Sequence, residues 1–159
     1  MKRARAEQER IVENYMNQFT KPTKAGDIQH TWHLFDAKDK ILGRIATVIA
    51  QSLIGKDKPY YVSNLDCGDY AVVVNAKHVA VSGKKEKQKV YDRFSGYPGG
   101  RHVKTLTAVR SYNPQRIITE AVAGMLPKNK LRAAMLKRLF VFADENHPYK
   151  NKFTNSNIK

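Results

Sequence analysis

A short apolar run at residues 71–74 constrains the fold more than any other segment of this sequence. Its three consecutive valines lie between Asp69 and Asn75, and no polar residue alternates with them. Continuous β-branched runs are typical of strands that are buried on both faces, and such strands occur mainly in parallel sheets covered by helices. The run therefore predicts a parallel sheet within an α/β fold.

Three segments carry apolar residues at helical spacing. The first covers residues 42–53 and is followed by Gly55, where a left-handed C-cap is expected. The second follows Asn113 and Pro114, a capping residue and a proline that suit the first positions of a helix. The third covers residues 129–139, with Leu139 among its inward positions. The spacing therefore predicts three helices.

Two further short strands are predicted at residues 32–35 and 79–81, and residues 90–91 are a candidate extension of the sheet. Strands that alternate with helices indicate a single α/β domain. We divide the chain into an N-terminal amphipathic helix and linker at residues 1–30, a domain at residues 31–150, and a polar C-terminal tail at residues 151–159.

Residues 4–19 have the pattern of an amphipathic helix. Its apolar face consists of Ile11, Val12, Tyr15, Met16 and Phe19. Packing on the chain's own domain and docking on a partner both account for this face, and the sequence leaves the two open. Acidic residues interrupt the basic N-terminus and no apolar signal core follows, so we expect no conventional leader.

The charge balance points to a polyanionic partner. The chain has 29 Lys and Arg against 14 Asp and Glu, which gives a formal net charge of +15. Nucleic acid is the first candidate and an anionic membrane surface the second. No run approaches the roughly 18 apolar residues of a membrane helix, so no membrane span is expected. The single cysteine, Cys67, excludes an internal disulfide framework.

The basic residues are concentrated in two clusters, at residues 82–104 and 128–138, with a weaker set near the helix predicted at 42–53. In the first cluster aromatic residues and glycines are interleaved with cations, a combination that suits contacts to RNA phosphates and stacking on bases. Tyr91, Phe94 and Tyr97 are the stacking candidates. The other candidate RNA-binding residues are Arg44, Lys56, Lys58, Lys84, Lys85, Lys87, Lys89, Arg93, Gly99, Gly100, Arg101, Lys128, Lys130, Arg132, Lys137 and Arg138.

No set of residues assembles an active site. Neither the P-loop nor the dinucleotide-binding glycine pattern is present. Cys67 is flanked by Asp66 and Asp69, and flanking carboxylates oppose formation of a reactive thiolate. We interpret residues 66–69 as a tight turn in which Asp66 or Asp69 accepts hydrogen bonds from backbone donors. We expect no enzymatic activity, no cofactor and no bound metal.

An ordered series of short motifs resembles one protein family. The series consists of Trp32-x-x-x-Asp36-Ala37, Ile41-Leu42-Gly43-Arg44, Gly55-Lys56-x-Lys58-Pro59-x-Tyr61, Asp66-Cys67-Gly68-Asp69-Tyr70, Val72-Val73-Val74-Asn75-Ala76, Ser82-Gly83-Lys84-Lys85, Lys89-Val90-Tyr91, Gly96-Tyr97-Pro98-Gly99-Gly100 and Gly124-Met125-Leu126-Pro127-Lys128-Asn129. Over about residues 31–150 the chain is similar to the ribosomal protein L13 family of the bacterial and organellar large subunit.

The resemblance implies a fold, a function and a set of partners. The implied fold is a three-layer α/β/α domain with a mainly parallel four-stranded sheet. The implied function is non-catalytic binding of large-subunit ribosomal RNA, through the segments 83–89, 96–101 and 127–132, which add Asn129 to the candidates. Neighbouring large-subunit proteins are further expected partners, with residues 4–19 as a contact, and no homo-oligomer is expected. An extraribosomal RNA-binding regulator, such as a translational repressor, is the alternative function.

The compartment rests on departures from the bacterial pattern. The extension before Trp32, the Asp-Cys-Gly-Asp turn and the Met-Leu-Pro-Lys-Asn string look most similar to mitochondrial members of the family. We therefore expect a mitochondrial ribosome, with the bacterial cytoplasm or the plastid stroma as alternatives.

Overall fold

The protein was analysed as a computed structural model, which describes residues 22–153. The helix expected over residues 4–19 and the last six residues of the chain lie outside the described part. No described helix has the length and apolar character needed to cross a membrane. The elements in chain order are β1 (Trp32–Asp36), α1 (Leu42–Ile54), β2 (Tyr70–Val74), α2 (Lys85–Gln88), β3 (Val90–Phe94), β4 (Arg101–Thr105), α3 (Leu106–Tyr112), α4 (Pro114–Met125), α5 (Arg132–Lys137) and β5 (Leu139–Val141), with single 3-10 turns at Ala25–Asp27, Ala76–His78 and Lys150–Lys152.

A parallel sheet with the order β1-β2-β5 forms the centre of the domain. Strand β2 lies in the middle, and Ala71 pairs with His33 on one side and Leu139 on the other. Because neighbours flank β2 on both edges and layers cover both faces, Val72 and Val73 are fully buried. The prediction of a parallel sheet around the valine run is confirmed.

The prediction of a strand at residues 79–81 is wrong, and in the part of the chain that the structure describes the parallel sheet has three strands. There the segment forms only one isolated parallel bridge, between Ile41 and Ala80. The Ala80 N–H donates to Lys40 O at 3.0 Å, and the Leu42 N–H donates to Ala80 O at 2.8 Å. Since α1 begins at Leu42, the partner segment turns into a helix before a ladder can extend.

Helices cover one face of this sheet. Alternate strand residues, Phe35, Ala71 and Val73, belong to the main core together with the apolar side of α1, including Ile49 and Leu53. Helix α4 packs against both α1 and β5. Both helices match the sequence prediction, because Gly55 caps α1 in the left-handed conformation and Asn113 caps α4 ahead of Pro114.

The other face of the sheet is covered by aromatic side chains and not by a helix of the described part. The rings of Trp32 and Tyr70 stack at 4.3 Å between centroids, and the Tyr149 ring lies 5.1 Å from Trp32 and 4.7 Å from Phe140. Phe153 closes the cluster edge-on to Trp32. The described residues therefore form one helical layer and a sheet whose second face is closed by the C-terminal segment, which packs through residue 153.

Two further elements depart from the sequence prediction. The third helix is shorter than expected, because it ends at Lys137 and Leu139 begins strand β5. Residues 90–91 do not extend the main sheet, since β3 pairs antiparallel with β4 in a separate hairpin. The sequence pattern also missed α3, which follows this hairpin directly and carries only two buried residues.

A close approach at Gly68 generates a stability prediction. A Cβ at this position would overlap the backbone carbonyl of Leu53 and would lie 2.8 Å from an Arg138 nitrogen. We expect Gly68→Ala to lower the free energy of unfolding by about 1–3 kcal/mol or more, because the carbonyl belongs to a helix and cannot move easily. Urea unfolding at neutral pH measures this difference.

Gly124→Ala provides the matched control. Position 124 lies within α4, and nothing within 4 Å would meet an added Cβ. Alanine is favoured over glycine inside a helix by roughly 0.5–1 kcal/mol, so this variant should be equally stable or more stable. Equal unfolding curves for both variants would contradict the close packing at Gly68.

Candidate nucleic-acid interface

The segment 84–89 presents lysines outward while its acid is turned toward the fold. Lys84, Lys85 and Lys87 are exposed, in and beside the single turn of α2. Glu86 accepts an ion-pair bond from Arg110 Nη2 at 3.1 Å, and its backbone carbonyl accepts one from the Thr107 hydroxyl. Because both anchors lie on α3, three cationic side chains are held on the outer side of the segment.

The β3–β4 hairpin, which follows the lysine segment in the chain, carries exposed aromatic residues. Phe94 is 65% exposed and Tyr97 is 75% exposed, so both rings are open to stacking. Gly96 and Gly99 have positive φ, which the turn requires. The Gly100 N–H is used within this turn, since it donates to Tyr97 O at 2.9 Å.

A groove connects the lysine segment with the end of α4. The cavity has a volume of about 630 Å³, and its lining includes Lys85, Lys89 and Met125. The exposed residues Lys128, Asn129 and Lys130 follow shortly after Met125 in the chain. The groove thus lies between the segment 84–89 and the end of α4, after which the exposed residues 128–130 follow in the chain.

Other candidates lie further apart or are already paired. Arg44 and Lys56 are both exposed, but they flank opposite ends of α1, which is about 20 Å long. Lys137 is exposed on α5. Arg101 forms an exposed ion pair with Asp92 at 3.1 Å. The Lys89 ammonium lies 5.3 Å from the centroid of the Tyr91 ring.

Lys58 and Arg138 do not belong to the exposed surface. The Lys58 side chain is 12% exposed, and its ammonium donates to Gln29 O, Cys67 O and the Asp69 carboxylate at 2.6, 2.8 and 2.5 Å. The Arg138 side chain is 10% exposed and binds both carboxylate oxygens of Asp66. Both cations are part of the interior, because each neutralises a carboxylate there.

Two more candidates, Tyr91 and Arg132, also point into the fold. Tyr91 is 8% exposed and packs with the main core, so its ring offers no face for stacking. Burial and the negative charge of Glu120 raise the pKa of the Tyr91 hydroxyl above its ordinary value. Arg132 donates through Nη2 to Ala123 O at 2.6 Å, a contact that fastens α5 to the end of α4.

The carboxylate of Asp69 is the centre of a buried polar network. It accepts hydrogen bonds from the Thr31 N–H at 2.8 Å and from Lys58, and His33 Nε2 lies 3.0 Å from it. Burial alone would raise the pKa of Asp69, but the bonds from His33, Lys58 and Thr31 outweigh burial and lower this pKa far below its ordinary value. The predicted role of Asp69 as a cap for backbone donors is confirmed by the bond from Thr31.

The network around Asp69 gives Lys58 a structural role that its exposed neighbour Lys56 does not have. We expect Lys58→Met to lower the free energy of unfolding by about 3–5 kcal/mol, because it leaves a buried carboxylate without its cation. Lys56→Met, two residues away and exposed, should leave stability unchanged. Urea unfolding of both variants at pH 7 measures the difference, and equal stabilities would contradict an interior role for Lys58.

The ion pair of Lys58 with Asp69 also predicts how the stability of the protein depends on pH. Because the folded pKa of Asp69 lies below the unfolded value of 3.8, its stabilisation is present above pH 4 and is lost as the pH falls further. In Lys58→Met the folded pKa moves up toward the unfolded one. The decrease in unfolding free energy from pH 6 to pH 3 should therefore be smaller than in the wild type, and an equal decrease would contradict this assignment.

The candidate RNA-binding residues leave out several basic side chains that gather on the inner side of the hairpin, although His102 and Lys104 lie within the predicted cluster at residues 82–104. His102, Lys104 and Arg116 line a cavity together with the predicted candidates Tyr91 and Arg93. The signal that could have found two of them is alternation, since residues 102 and 104 share one face of a strand. The partner register, which places them opposite Arg93 and Tyr91, was not visible in the sequence.

Comparison with known proteins gives a family match over most of the chain. A family model described as "Ribosomal protein L13" matches residues 30–148. Three similar proteins are each named "Large ribosomal subunit protein uL13". The one from Solibacter usitatus is 48% identical over 128 residues, covering 80% of this chain and 89% of the relative. The one from Dehalococcoides mccartyi is 46% identical over 134 residues, covering 84% and 92%. The one from Oleidesulfovibrio alaskensis is 49% identical over 126 residues, covering 79% and 88%.

Proposed function

The chain belongs to the ribosomal protein L13 family, and from that membership we infer that it is a structural constituent of the large ribosomal subunit that binds large-subunit ribosomal RNA. Proteins of this family are structural and not enzymatic, so the protein is not an enzyme. The observation that best supports RNA binding is the exposed lysine segment, which is followed in the chain by a hairpin with two exposed aromatic rings. No separate observation favours the alternative of a translational repressor acting off the ribosome.

The proposed interface combines charge neutralisation with stacking. Lys84, Lys85 and Lys87 extend from α2 and its edge, where the ion pair of Glu86 with Arg110 keeps the carboxylate away from an approaching phosphate. Phe94 and Tyr97 offer ring faces to unpaired bases. The exposed segment 128–130, which follows the end of α4, contributes two more lysines and the Asn129 side chain, which also accepts a bond from the Arg132 N–H.

The salt dependence of RNA binding tests this interface. Each phosphate neutralised on a single strand contributes a slope of roughly −0.7 in log K against log salt. We expect the double variant Lys84→Ala, Lys85→Ala to flatten the slope by about 1–1.5, measured by filter binding to large-subunit RNA transcripts.

A second double variant serves as the matched control. Lys150 and Lys152 are exposed on the turn that covers the other face of the sheet, so replacing both with Ala removes the same charge elsewhere. This control should leave the slope unchanged. Equal effects of the two pairs would remove the segment 84–89 from the proposed interface and would indicate a response to net charge alone.

We propose that the ribosome concerned is bacterial. The three relatives described above come from bacteria, and they are 46–49% identical to this chain. The expectation of a mitochondrial ribosome therefore finds no support in these proteins, and the bacterial cytoplasm, which was the alternative, is favoured. The mitochondrial expectation rested in part on the turn at 66–69 and the string at 125–129. Both segments lie within residues 30–148, which the family model matches.

We also propose that residues 4–19 contact neighbouring large-subunit proteins, with their apolar pattern as support. Native lysate sedimented through sucrose at high salt should show the full chain with the large subunit. A variant lacking residues 1–19 should keep the RNA affinity of the full chain but should be released from subunits at lower salt. Full chain at the top of a low-salt gradient would contradict a ribosomal role, and equal retention of both would contradict the proposed contact.

A further inference from the structure

A basic cavity lies between the hairpin and α4. Its volume is about 550 Å³, and its lining includes Tyr91, Arg93, His102, Lys104 and Arg116, with Phe94 at its rim. No carboxylate is among its lining residues. The cavity falls within the size range of small-molecule sites, which is roughly 300–1,000 Å³.

The hairpin register explains why these side chains converge. Tyr91 is paired with Lys104, and Arg93 with His102, so all four lie on one face of the two strands. The acid of the hairpin, Asp92, is on the opposite face and pairs there with Arg101. The hairpin thus sorts its charges into a mixed outer face and a basic inner face.

Three of the four basic groups at the cavity have no anionic partner in the described part of the chain. Arg93, His102 and Lys104 form no ion pair or side-chain hydrogen bond with any residue between 22 and 153. Arg116 on α4 donates to Glu120 through Nε at 2.5 Å, and no bond to a described residue engages its two terminal nitrogens. Among the described residues Glu120 is the one carboxylate bonded to any of these four cations, and the resulting excess of positive charge favours an anion.

The Tyr91 hydroxyl is a second observation that points to a ligand. It is buried in a residue that is 8% exposed, and its oxygen has no hydrogen-bond partner in the described chain. A buried polar group without a partner is unfavourable, so a ligand oxygen that reaches it gains a hydrogen bond and relieves that cost.

We propose that this cavity binds the phosphate group of a nucleotide unit, with Arg93, Lys104, Arg116 and the Tyr91 hydroxyl as its ligands and Phe94 as a platform for the adjoining sugar or base. This assignment rests on the proposed function in that ribosomal RNA supplies the phosphodiester. A small phosphorylated molecule has the same chemistry, and the experiment has one arm for each source. The site differs from the lysine segment because its donors converge on one point.

The first arm titrates the full-length protein with inorganic phosphate, followed by amide NMR shifts, against sodium chloride of equal ionic strength. Saturable shifts should appear at Arg93, His102, Lys104 and Arg116. Arg116→Gln should weaken phosphate binding about tenfold, as expected for a charge-assisted hydrogen bond. Arg101→Gln, on the outer face of the same hairpin, is the matched control and should leave binding unchanged.

The variant Tyr91→Phe tests the contribution of the hydroxyl alone, because it keeps the ring. This variant should weaken phosphate binding about tenfold, because a hydroxyl that donates to an ionised phosphate makes a charge-assisted hydrogen bond. Its thermal unfolding temperature should equal or exceed that of the wild type, since an unpartnered buried hydroxyl is removed. A merely structural role for Tyr91 would change stability and leave phosphate binding as it was.

The second arm measures affinity for large-subunit RNA transcripts by filter binding. Arg116→Gln should weaken it about five- to tenfold, and more than Arg101→Gln. Phosphate binding without this RNA effect would overturn RNA as the source and leave a small phosphorylated ligand. Absence of saturable phosphate shifts, with equal RNA effects of Arg116→Gln and Arg101→Gln, would overturn the site. In that case a flatter salt slope in the Lys84, Lys85 variant would still support the proposed function.

Discussion

The buried carboxylate of Asp69 holds together parts of the chain that are far apart in the sequence. It binds Thr31 and His33 at the start of β1 and Lys58 in the loop after α1. Lys58 in turn holds the carbonyl of Gln29, so the segment before β1 is fixed to the same loop. Because a buried carboxylate is tolerated only with its donors in place, this network sets where β1 enters the sheet.

The same loop couples electrostatics to close packing. One residue before Asp69, Gly68 lies against the end of α1, and two residues before that, Asp66 binds Arg138 at the entrance to β5. Helix α1 and strands β1, β2 and β5 therefore meet at residues 66–69. Two cations of this positively charged protein, Lys58 and Arg138, stabilise its own fold here. They are therefore not available to bind a partner.

Local patterns predicted the central features of this fold. The valine run identified the middle strand of a parallel sheet, and apolar spacing with Gly55 and Pro114 bounded the two long helices. The predictions that failed concerned residues whose contacts lie far away in the sequence. Lys56 and Lys58 look alike in sequence, but only Lys58 reaches a carboxylate eleven residues away. Leu139 fits the helical spacing of the residues before it, but it pairs with Ala71 and therefore belongs to strand β5.

The cover of the second sheet face has a consequence for how the chain folds during synthesis. Strand β5 and the rings of Tyr149 and Phe153 belong to the last part of the described chain to be made. Until they emerge, β2 has one open edge and Trp32 and Tyr70 remain uncovered. The nascent domain thus exposes apolar surface until residue 153 has emerged, although the lysine segment 84–89 has left the ribosome earlier.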